Sequence, residues 1–179
     1  MIHIGAVETQ APAQWQTPLQ AQVYRTLAAL GIPFERVTTD EVITMEDCAA
    51  VNQTLGIQMV KTLFLCNRQQ TAFYLFITRG DKPFVSKAFS AALNVPRVSF
   101  APVAAMERML GTPVGAATVF SCLLDTTHQV RVIFDRDVLN NPWYGCSDGT
   151  TTGYMKLRTA DITGPLLAFS GHVPEVVEI

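Results

Sequence analysis

The spacing of apolar residues predicts that the first regular element of the chain is a helix and that helices and strands follow it. In the first helix, apolar side chains recur on one face at Leu19, Val23, Leu27 and Leu30. Thr17 followed by Pro18 is typical of a helix start, and Gly31 is a typical stop. The residues after Pro33 then predict a strand over 34–38.

The middle of the chain predicts a helix followed by a β-hairpin. Residues 44–47 have the pattern of a capped helix start, so we expect a helix over about 45–55 that ends at Gly56. Two largely apolar runs, 62–66 and 72–78, are separated by a short polar connection. A connection of that length favours an antiparallel pair of strands.

The second half predicts short helices and strands with two glycine-rich segments between them. Helices are expected over 87–93 and 102–110, and strands over 98–100, 130–135, 154–157 and 172–177. We expect loops at 111–118 and 145–152, and a turn at Gly164-Pro165 before a short helix. Because this order lacks a regular βαβ repeat, the predicted fold class is mixed α/β, of the α+β kind. We assign residues 1–17 to an N-terminal arm and 18–179 to one domain.

Composition limits the classes of function. The chain has 179 residues, 49% of them apolar and 16% charged, enough for one domain with a substantial core. A formal net charge of −2 argues against a protein that coats DNA or RNA, so any nucleic-acid contact must be local and no DNA partner is expected. No apolar run is long enough for a membrane span and no signal peptide is evident, so we expect a soluble, cytoplasmic protein.

The cysteines and histidines do not predict a metal site. The four cysteines are far apart without a Cys-x-x-Cys motif, and the three histidines are separated from one another. We therefore expect reduced, buried thiols, no metal and no cofactor.

Lys61 is the first candidate for chemistry, because it stands at the start of an apolar strand where an ammonium is costly to bury. It has two interpretations. In the first, its stem covers the strand end while the charge stays in water. In the second, the cation is held at the rim of a cleft and aimed at a phosphate or a carbonyl.

The two glycine-rich segments are the next candidates. Segment 111–118 combines glycines, a proline and small side chains, so its backbone can approach a ligand closely. Segment 145–152 is rich in glycine and hydroxyl groups that can face a polar ligand. An ordinary turn explains either segment equally well.

Together these motifs resemble the YbaK and prolyl-tRNA-synthetase-associated editing domain family, in particular its freestanding ProX-like members. The resemblance is carried by the strand that starts at Lys61, the turn at Gly80 with Lys87, and segments 114–120 and 145–152. It implies a mixed, barrel-like β-sheet flanked by helices. It also implies a metal-free hydrolase that deacylates mischarged aminoacyl-tRNA by water attack on the ester, with a small amino acid as substrate and Ala-tRNA(Pro) as one candidate.

The resemblance also implies roles for individual residues. The predicted catalytic residues are Lys61, Gly115 and Ala116. The predicted substrate-binding residues are Met59, Thr118, Phe120, Ser147, Asp148 and Gly149. The predicted tRNA contacts are Arg79, Lys82 and Lys87. The implied partners are the aminoacylated 3′ end of tRNA and, as a candidate, an aminoacyl-tRNA synthetase; the oligomeric state is left open.

Two departures from the family pattern keep other functions open. Val119 and Ser121 replace a proline and a glycine that are common in the family, and Ser147 stands in a segment that commonly carries a histidine. These differences affect the expected amino-acid specificity more than the reaction. They also leave open a non-catalytic binder of aminoacyl-tRNA or another aminoacyl compound, or a regulatory domain without a tRNA ligand.

Overall fold

The fold is described from a computed structural model that covers residues 2–42 and 47–179. The first helix, α1, spans Pro18–Leu30. Thr17 caps it by accepting a hydrogen bond from the N–H of Gln20, and Gly31 ends it in the left-handed conformation, with φ of 65°. Both predicted ends of this helix are confirmed.

The next elements follow the predicted order. They are β1 (Glu35–Thr38), α2 (Cys48–Leu55), β2 (Val60–Asn67), β3 (Phe73–Arg79), α3 (Ser86–Leu93), β4 (Val98–Phe100) and α4 (Val103–Leu110). Gly56 ends α2 with φ of 64°. The predicted start of that helix at residues 44–46 lies outside the described residues.

The remaining elements contain the differences from prediction. They are a 3-10 helix (Val119–Leu123), β5 (Val130–Asp135), α5 (Arg136–Leu139), β6 (Trp143–Ser147), β7 (Gly153–Arg158), α6 (Thr159–Asp161), a π-helix (Ile162–Leu166), α7 (Leu167–Ser170) and β8 (Glu175–Val177). The loop predicted to start at residue 145 was wrong in its first part, because Gly145–Ser147 form the end of β6. The turn predicted at Gly164-Pro165 was also wrong, because the chain stays helical through a π-helical turn that contains Pro165.

The strands form two sheets that meet beside β6. One sheet has the order β1-β7-β6, and the other has the order β4-β2-β3-β5-β8. A bridge between Met59 and Gly145 joins them. The mixed α/β fold class is confirmed, and the described strands do not close into a barrel.

The main core lies between the inner faces of both sheets and helix α1. Tyr144, Cys146, Met155 and Leu157 enter this core from β6 and β7. Their neighbours along the same strands therefore point to the opposite face of the small sheet. A second cluster covers part of that outer face, where α2 packs on Val37, Met59 and Tyr154.

Residues of the predicted N-terminal arm lie against β1. Gly5 donates its N–H to the carbonyl of Thr38, and Glu8 and Arg36 exchange two main-chain hydrogen bonds of 2.8 Å. The Arg36 guanidinium also pairs with the Glu8 carboxylate at 2.7 Å. No helix within the described part of the chain has the length and apolar character needed to span a bilayer.

Candidate active site

A cavity of about 260 Å³ lies where the two sheets meet. Its walls come from the start of β2, the segment that follows α4, and the end of β6. Four residues predicted for the site line it: Met59, Lys61, Gly115 and Ser147. The fold thus brings together side chains from three segments that are far apart in the sequence.

Lys61 stands at the rim of this cavity with its charge directed to the turn after β3. It pairs across the hairpin with Thr78, and its side chain shares a sheet face with Leu63. Its ammonium donates a hydrogen bond to the main-chain carbonyl of Lys82. Lys61 therefore lines the cavity while its charge is held by a neighbouring turn.

The segment after α4 brings its backbone to the cavity through Gly115. Gly115 has φ of 87°, a conformation that glycine adopts without strain. Ala116, also predicted to be catalytic, is fully buried, and its N–H donates to the Pro113 carbonyl at 3.2 Å. The N–H of Gly115 has no hydrogen-bond partner among residues 2–42 and 47–179. Of the two predicted backbone donors, Gly115 is therefore the one available to a ligand.

Thr118 and Phe120 lie behind the cavity wall. The Thr118 hydroxyl donates to the main-chain carbonyl of Ser147 at 2.8 Å and caps the 3-10 helix. Phe120 is fully buried in the main core. Both residues support the wall, and neither is among the residues that line the cavity.

Ser147 lines the cavity, but its hydroxyl is engaged within its own loop. The Ser147 Oγ donates to the Thr150 carbonyl at 2.5 Å and accepts the Gly149 N–H at 3.0 Å. Gly149 has φ of 96° and packs closely on Leu19. These bonds fix the loop that follows β6.

Asp148 is fully buried and acts as a hydrogen-bond acceptor for three other side chains. Its carboxylate accepts from the Tyr24 hydroxyl at 2.7 Å, from Gln20 Nε2 at 3.0 Å and from the Thr150 hydroxyl at 2.7 Å. Burial, together with the nearby Asp148 charge, raises the pKa of Tyr24 far above its ordinary value, so that hydroxyl stays a donor. Asp148 joins the loop to α1, and Asp148 is not among the residues that line the cavity.

Two of the three predicted tRNA contacts are paired within the protein. Arg79 makes a two-point ion pair with Asp81, with its Nη2 2.7 Å from the carboxylate. Lys82 Nζ lies 2.7 Å from Asp135 and 2.8 Å from Asp137. Burial alone would lower the pKa of Lys82, but hydrogen bonds to the two carboxylates raise it above the ordinary value. Lys87 is exposed.

Several lining residues were missed by the sequence analysis. They include Val42, Cys48, Met106, Ala117, Cys146 and Tyr154. Burial raises the pKa of the Cys48 and Cys146 thiols, so both are protonated and weakly nucleophilic near pH 7. Residues 144–147 are all buried in β6, but the glycine, cysteine and serine among them gave no apolar strand pattern in the sequence.

The chemistry that the described lining offers is that of an apolar pocket with a backbone donor and a cation at its rim. None of the described lining residues is Asp, Glu or His. No group of three or more His, Cys, Asp and Glu side chains in the described residues could hold a metal ion. The fold and this site together define a mixed α/β domain with a small, largely apolar ligand cavity where its two sheets meet.

The comparisons with known proteins agree with this class. A family model described as the aminoacyl-tRNA editing domain matches residues 39–164. The chain belongs to the aminoacyl-tRNA editing domain family, and the predicted class of enzyme, an aminoacyl-tRNA deacylase that acts in trans editing, is confirmed. The aminoacyl-tRNA substrate class is likewise confirmed.

One curated relative and two solved structures illustrate the similarity. The chain is 26% identical over 157 residues to the prolyl-tRNA editing protein ProX of Acetoanaerobium sticklandii, covering 88% of this chain and 95% of that protein. A hypothetical protein designated APE2540 superposes with a TM-score of 0.66 at 19% identity, covering 88% of this chain and 98% of that one. A proposed trans-editing enzyme for prolyl tRNA synthetase gives a TM-score of 0.65 at 17% identity, covering 92% of this chain and 99% of that one.

Proposed function

We propose that this protein removes a small, apolar amino acid from the 3′ end of a mischarged tRNA, with Ala-tRNA(Pro) as the leading candidate substrate. The observation that carries the proposal is the cavity shared by Lys61, Gly115 and Ser147. The proline tRNA is suggested by the 26% identical relative, which is named a prolyl-tRNA editing protein. A synthetase that charges this tRNA is the protein partner that the function implies.

The lining of the cavity supports a small, uncharged acyl group. Cys48, Met59, Met106 and Ala117 contribute sulfur or methyl groups to the wall. A positively charged amino-acid side chain would lose its hydration there without gaining a carboxylate partner from the described lining. The selection against larger amino acids would be steric, through the Met59 and Met106 side chains in the wall.

In the proposed reaction, water attacks the ester carbonyl of the aminoacyl-tRNA and the ribose oxygen of the terminal adenosine leaves. The N–H of Gly115, which has no partner among the described residues, would donate to the carbonyl oxygen as it becomes negative. A backbone donor already fixed in this position stabilises the tetrahedral intermediate without reorganisation. The neighbouring ribose hydroxyl of the substrate would orient the water, since no carboxylate or imidazole lies in the described lining.

Lys61 would bind the terminal nucleotide. Its ammonium bonds to the Lys82 carbonyl, a neutral acceptor in the turn after β3. A phosphate is a stronger acceptor than a carbonyl because it is charged, so substrate would draw the ammonium away from Lys82. The alternative acceptor for the Lys61 ammonium is a ribose hydroxyl of the same nucleotide.

The proposal is tested with a panel of tRNAs charged with labelled amino acids. The wild-type protein should release alanine from proline tRNA faster than it releases proline. Lys61→Met keeps the apolar stem and removes the charge, and it should lower kcat/KM by about 100-fold, the usual cost of losing one preorganised donor or cation.

Arg68→Met is the control, because Arg68 is an exposed cation in the β2-β3 turn, outside the lining of the cavity. Near-normal turnover by the Lys61 variant, with an unchanged melting temperature, would remove Lys61 from the mechanism. A wild-type protein that retains charged tRNA without hydrolysing it would support the non-catalytic binder instead.

A further inference from the structure

A second surface on the same small sheet carries an exposed tryptophan beside two cations. Trp143 is 41% exposed. The Lys156 ammonium lies 4.6 Å from the centroid of the Trp143 ring, and the Arg158 guanidinium carbon lies 5.6 Å from it. Trp143 and Arg158 are directly opposed in the β6-β7 ladder. We call these three residues the tryptophan patch.

The charges of the tryptophan patch are only partly balanced by the protein. Arg158 is exposed and makes no ion pair with a described residue. Lys156 lies 3.7 Å from the Glu35 carboxylate, whose side chain is 46% exposed, so this contact is weak. The patch therefore presents a net positive charge next to an open aromatic ring.

A cavity of about 420 Å³ adjoins the ring. Trp143 and Arg158 both line it, and Pro142, Ala160 and Thr163 contribute other parts of its wall. A flat, largely apolar ligand with a negative charge fits this combination of ring, cavity and cation. A nucleobase with its phosphate has that chemistry, since bases stack on aromatic rings and phosphates pair with arginine.

The position of the patch relates it to the candidate active site. Trp143 and Ser147 lie on the same strand with an even spacing, so they share the outer face of the small sheet. Four residues along a strand span about 13 Å. Successive nucleotides of a stacked strand are about 3.4 Å apart and are farther apart when extended, so a few unpaired nucleotides cover this distance. The 3′ end of tRNA is such an unpaired strand.

We propose that the tryptophan patch binds a base of the unpaired 3′ strand of tRNA, upstream of the terminal adenosine that enters the active-site cavity. This inference rests on the proposed function for the position of the terminal adenosine. Trp143 stacks on the base, and Arg158 pairs with a neighbouring phosphate. The tryptophan patch thereby positions the aminoacylated end of the tRNA without contacting the ester.

The first test uses fluorescence and needs no hydrolysis. The chain has two tryptophans, so Trp15→Phe leaves Trp143 as the single emitter. Uncharged tRNA with an intact CCA end should quench this emission to saturation. The same tRNA without its CCA end should give an apparent Kd at least tenfold higher. Trp143→Phe, which keeps Trp15, is the control and should show no CCA-dependent quenching. Equal titrations with intact and trimmed tRNA would overturn the proposal.

The second test separates binding from chemistry. Trp143→Ala should raise KM for charged tRNA by roughly tenfold, within the range expected for the loss of one stacked base, and should leave kcat unchanged. It should leave hydrolysis of a short aminoacyl-adenosine ester unchanged, because that ester does not reach the patch. Arg158→Ala should raise KM and weaken its salt dependence, whereas Arg68→Ala, an exposed arginine in the β2-β3 turn, should not.

The two proposals fail in different ways. If the wild-type protein hydrolyses no charged tRNA, the proposed function fails, and the fluorescence titration still decides whether the patch binds the CCA end. If hydrolysis is normal but Trp143→Ala leaves KM unchanged, the patch is excluded and the proposed function stands. If Trp143→Ala lowers hydrolysis of the short ester equally, Trp143 acts on the fold of the site, and the base-binding role is overturned.

Discussion

The Thr118 hydroxyl donates a hydrogen bond to the main-chain carbonyl of Ser147 across 2.8 Å, and it is buried from solvent. This single bond joins the segment that carries Gly115 to the end of β6. Both walls of the active-site cavity are therefore held in one arrangement, although 29 residues separate the two bonded groups. A shift in either segment would change the shape of the cavity.

Replacing Thr118 with valine should destabilise the protein. The substitution preserves the shape of the side chain and leaves the buried Ser147 carbonyl without its donor, a loss of about 1–3 kcal/mol in the free energy of unfolding. Urea unfolding measures this difference. Thr118→Ser keeps the hydroxyl and should retain most of the stability; an equal loss in both variants would show that packing of the methyl group, not the hydrogen bond, is responsible.

Gly153→Ala should be among the most disruptive small substitutions in the chain. A Cβ at Gly153 would lie 2.3 Å from Asp148 Oδ2 and 2.6 Å from its Cγ. That carboxylate is held by Tyr24 and Gln20 and has no room to move without breaking those bonds. We expect a loss of about 3 kcal/mol in the free energy of unfolding, at the upper end of typical overpacking effects.

Gly164→Ala is the matched control for this prediction. Apart from its chain neighbours and its own helical backbone, no atom of the described residues lies within 4 Å of a Cβ at Gly164, and its φ is not positive. The melting temperature of Gly164→Ala should stay within a few degrees of the wild-type value or rise, because alanine lowers the conformational entropy of the unfolded chain. Similar losses in both variants would contradict the role assigned to the Asp148 carboxylate.

Asp135 should give the protein a stability that depends on pH. Burial alone would raise the pKa of Asp135, but hydrogen bonds from Lys82, Thr78 and the N–H of Asp137 outweigh it and hold the pKa below its ordinary value. Because the folded state binds the proton less readily than the unfolded state, this stabilisation is present above the unfolded pKa of about 3.9. It is lost as the pH falls through the lower folded pKa.

Asp135→Asn should therefore lower the free energy of unfolding by about 2–3 kcal/mol at pH 7, and the difference from wild type should shrink below about pH 4. Denaturant unfolding between pH 3 and pH 7 would measure both effects. Asp137→Asn, whose side chain is 42% exposed, should cost about 0.5 kcal/mol or less. A difference that stays constant down to pH 3 would show that the Asp135 charge is not the cause.

Met106→Ala should widen the amino-acid preference of the enzyme. Met106 lines the active-site cavity, so its truncation should admit acyl groups about one or two methylenes larger. Each methylene in such a pocket changes discrimination by about 10-fold or more, so the ratio of kcat/KM for a larger amino acid over alanine should rise by at least that factor. Met109→Ala, on the same helix and outside the lining, should leave this ratio unchanged. Equal changes in both variants would point to a general loosening of α4.

Local features of the chain could be predicted because short-range chemistry determines them. The hydroxyl of Thr17 and the left-handed glycine at Gly31 bound α1, and two apolar runs separated by a short polar connection located the β2-β3 hairpin. The prediction of a loop at Gly145–Ser147, where the structure has the end of β6, failed for a local reason too. Gly145 lies beneath Ile57 and Met59, and a Cβ there would meet Ile57 within 2.2 Å, so this strand uses glycine where an apolar pattern would have revealed it.

The sequence by itself determined most of the helices and strands, the family of the protein and the position of Lys61 at the start of a strand, because these depend on neighbouring residues and on motif order. Only the tertiary structure decided which partners the polar side chains contact. Lys82 faces two carboxylates, Asp148 is an acceptor for α1, and Trp143 lies beside Arg158. Such pairings join residues far apart in the chain. Burial and charge at those positions are set by partners from other elements, and no local pattern specifies which partners will meet.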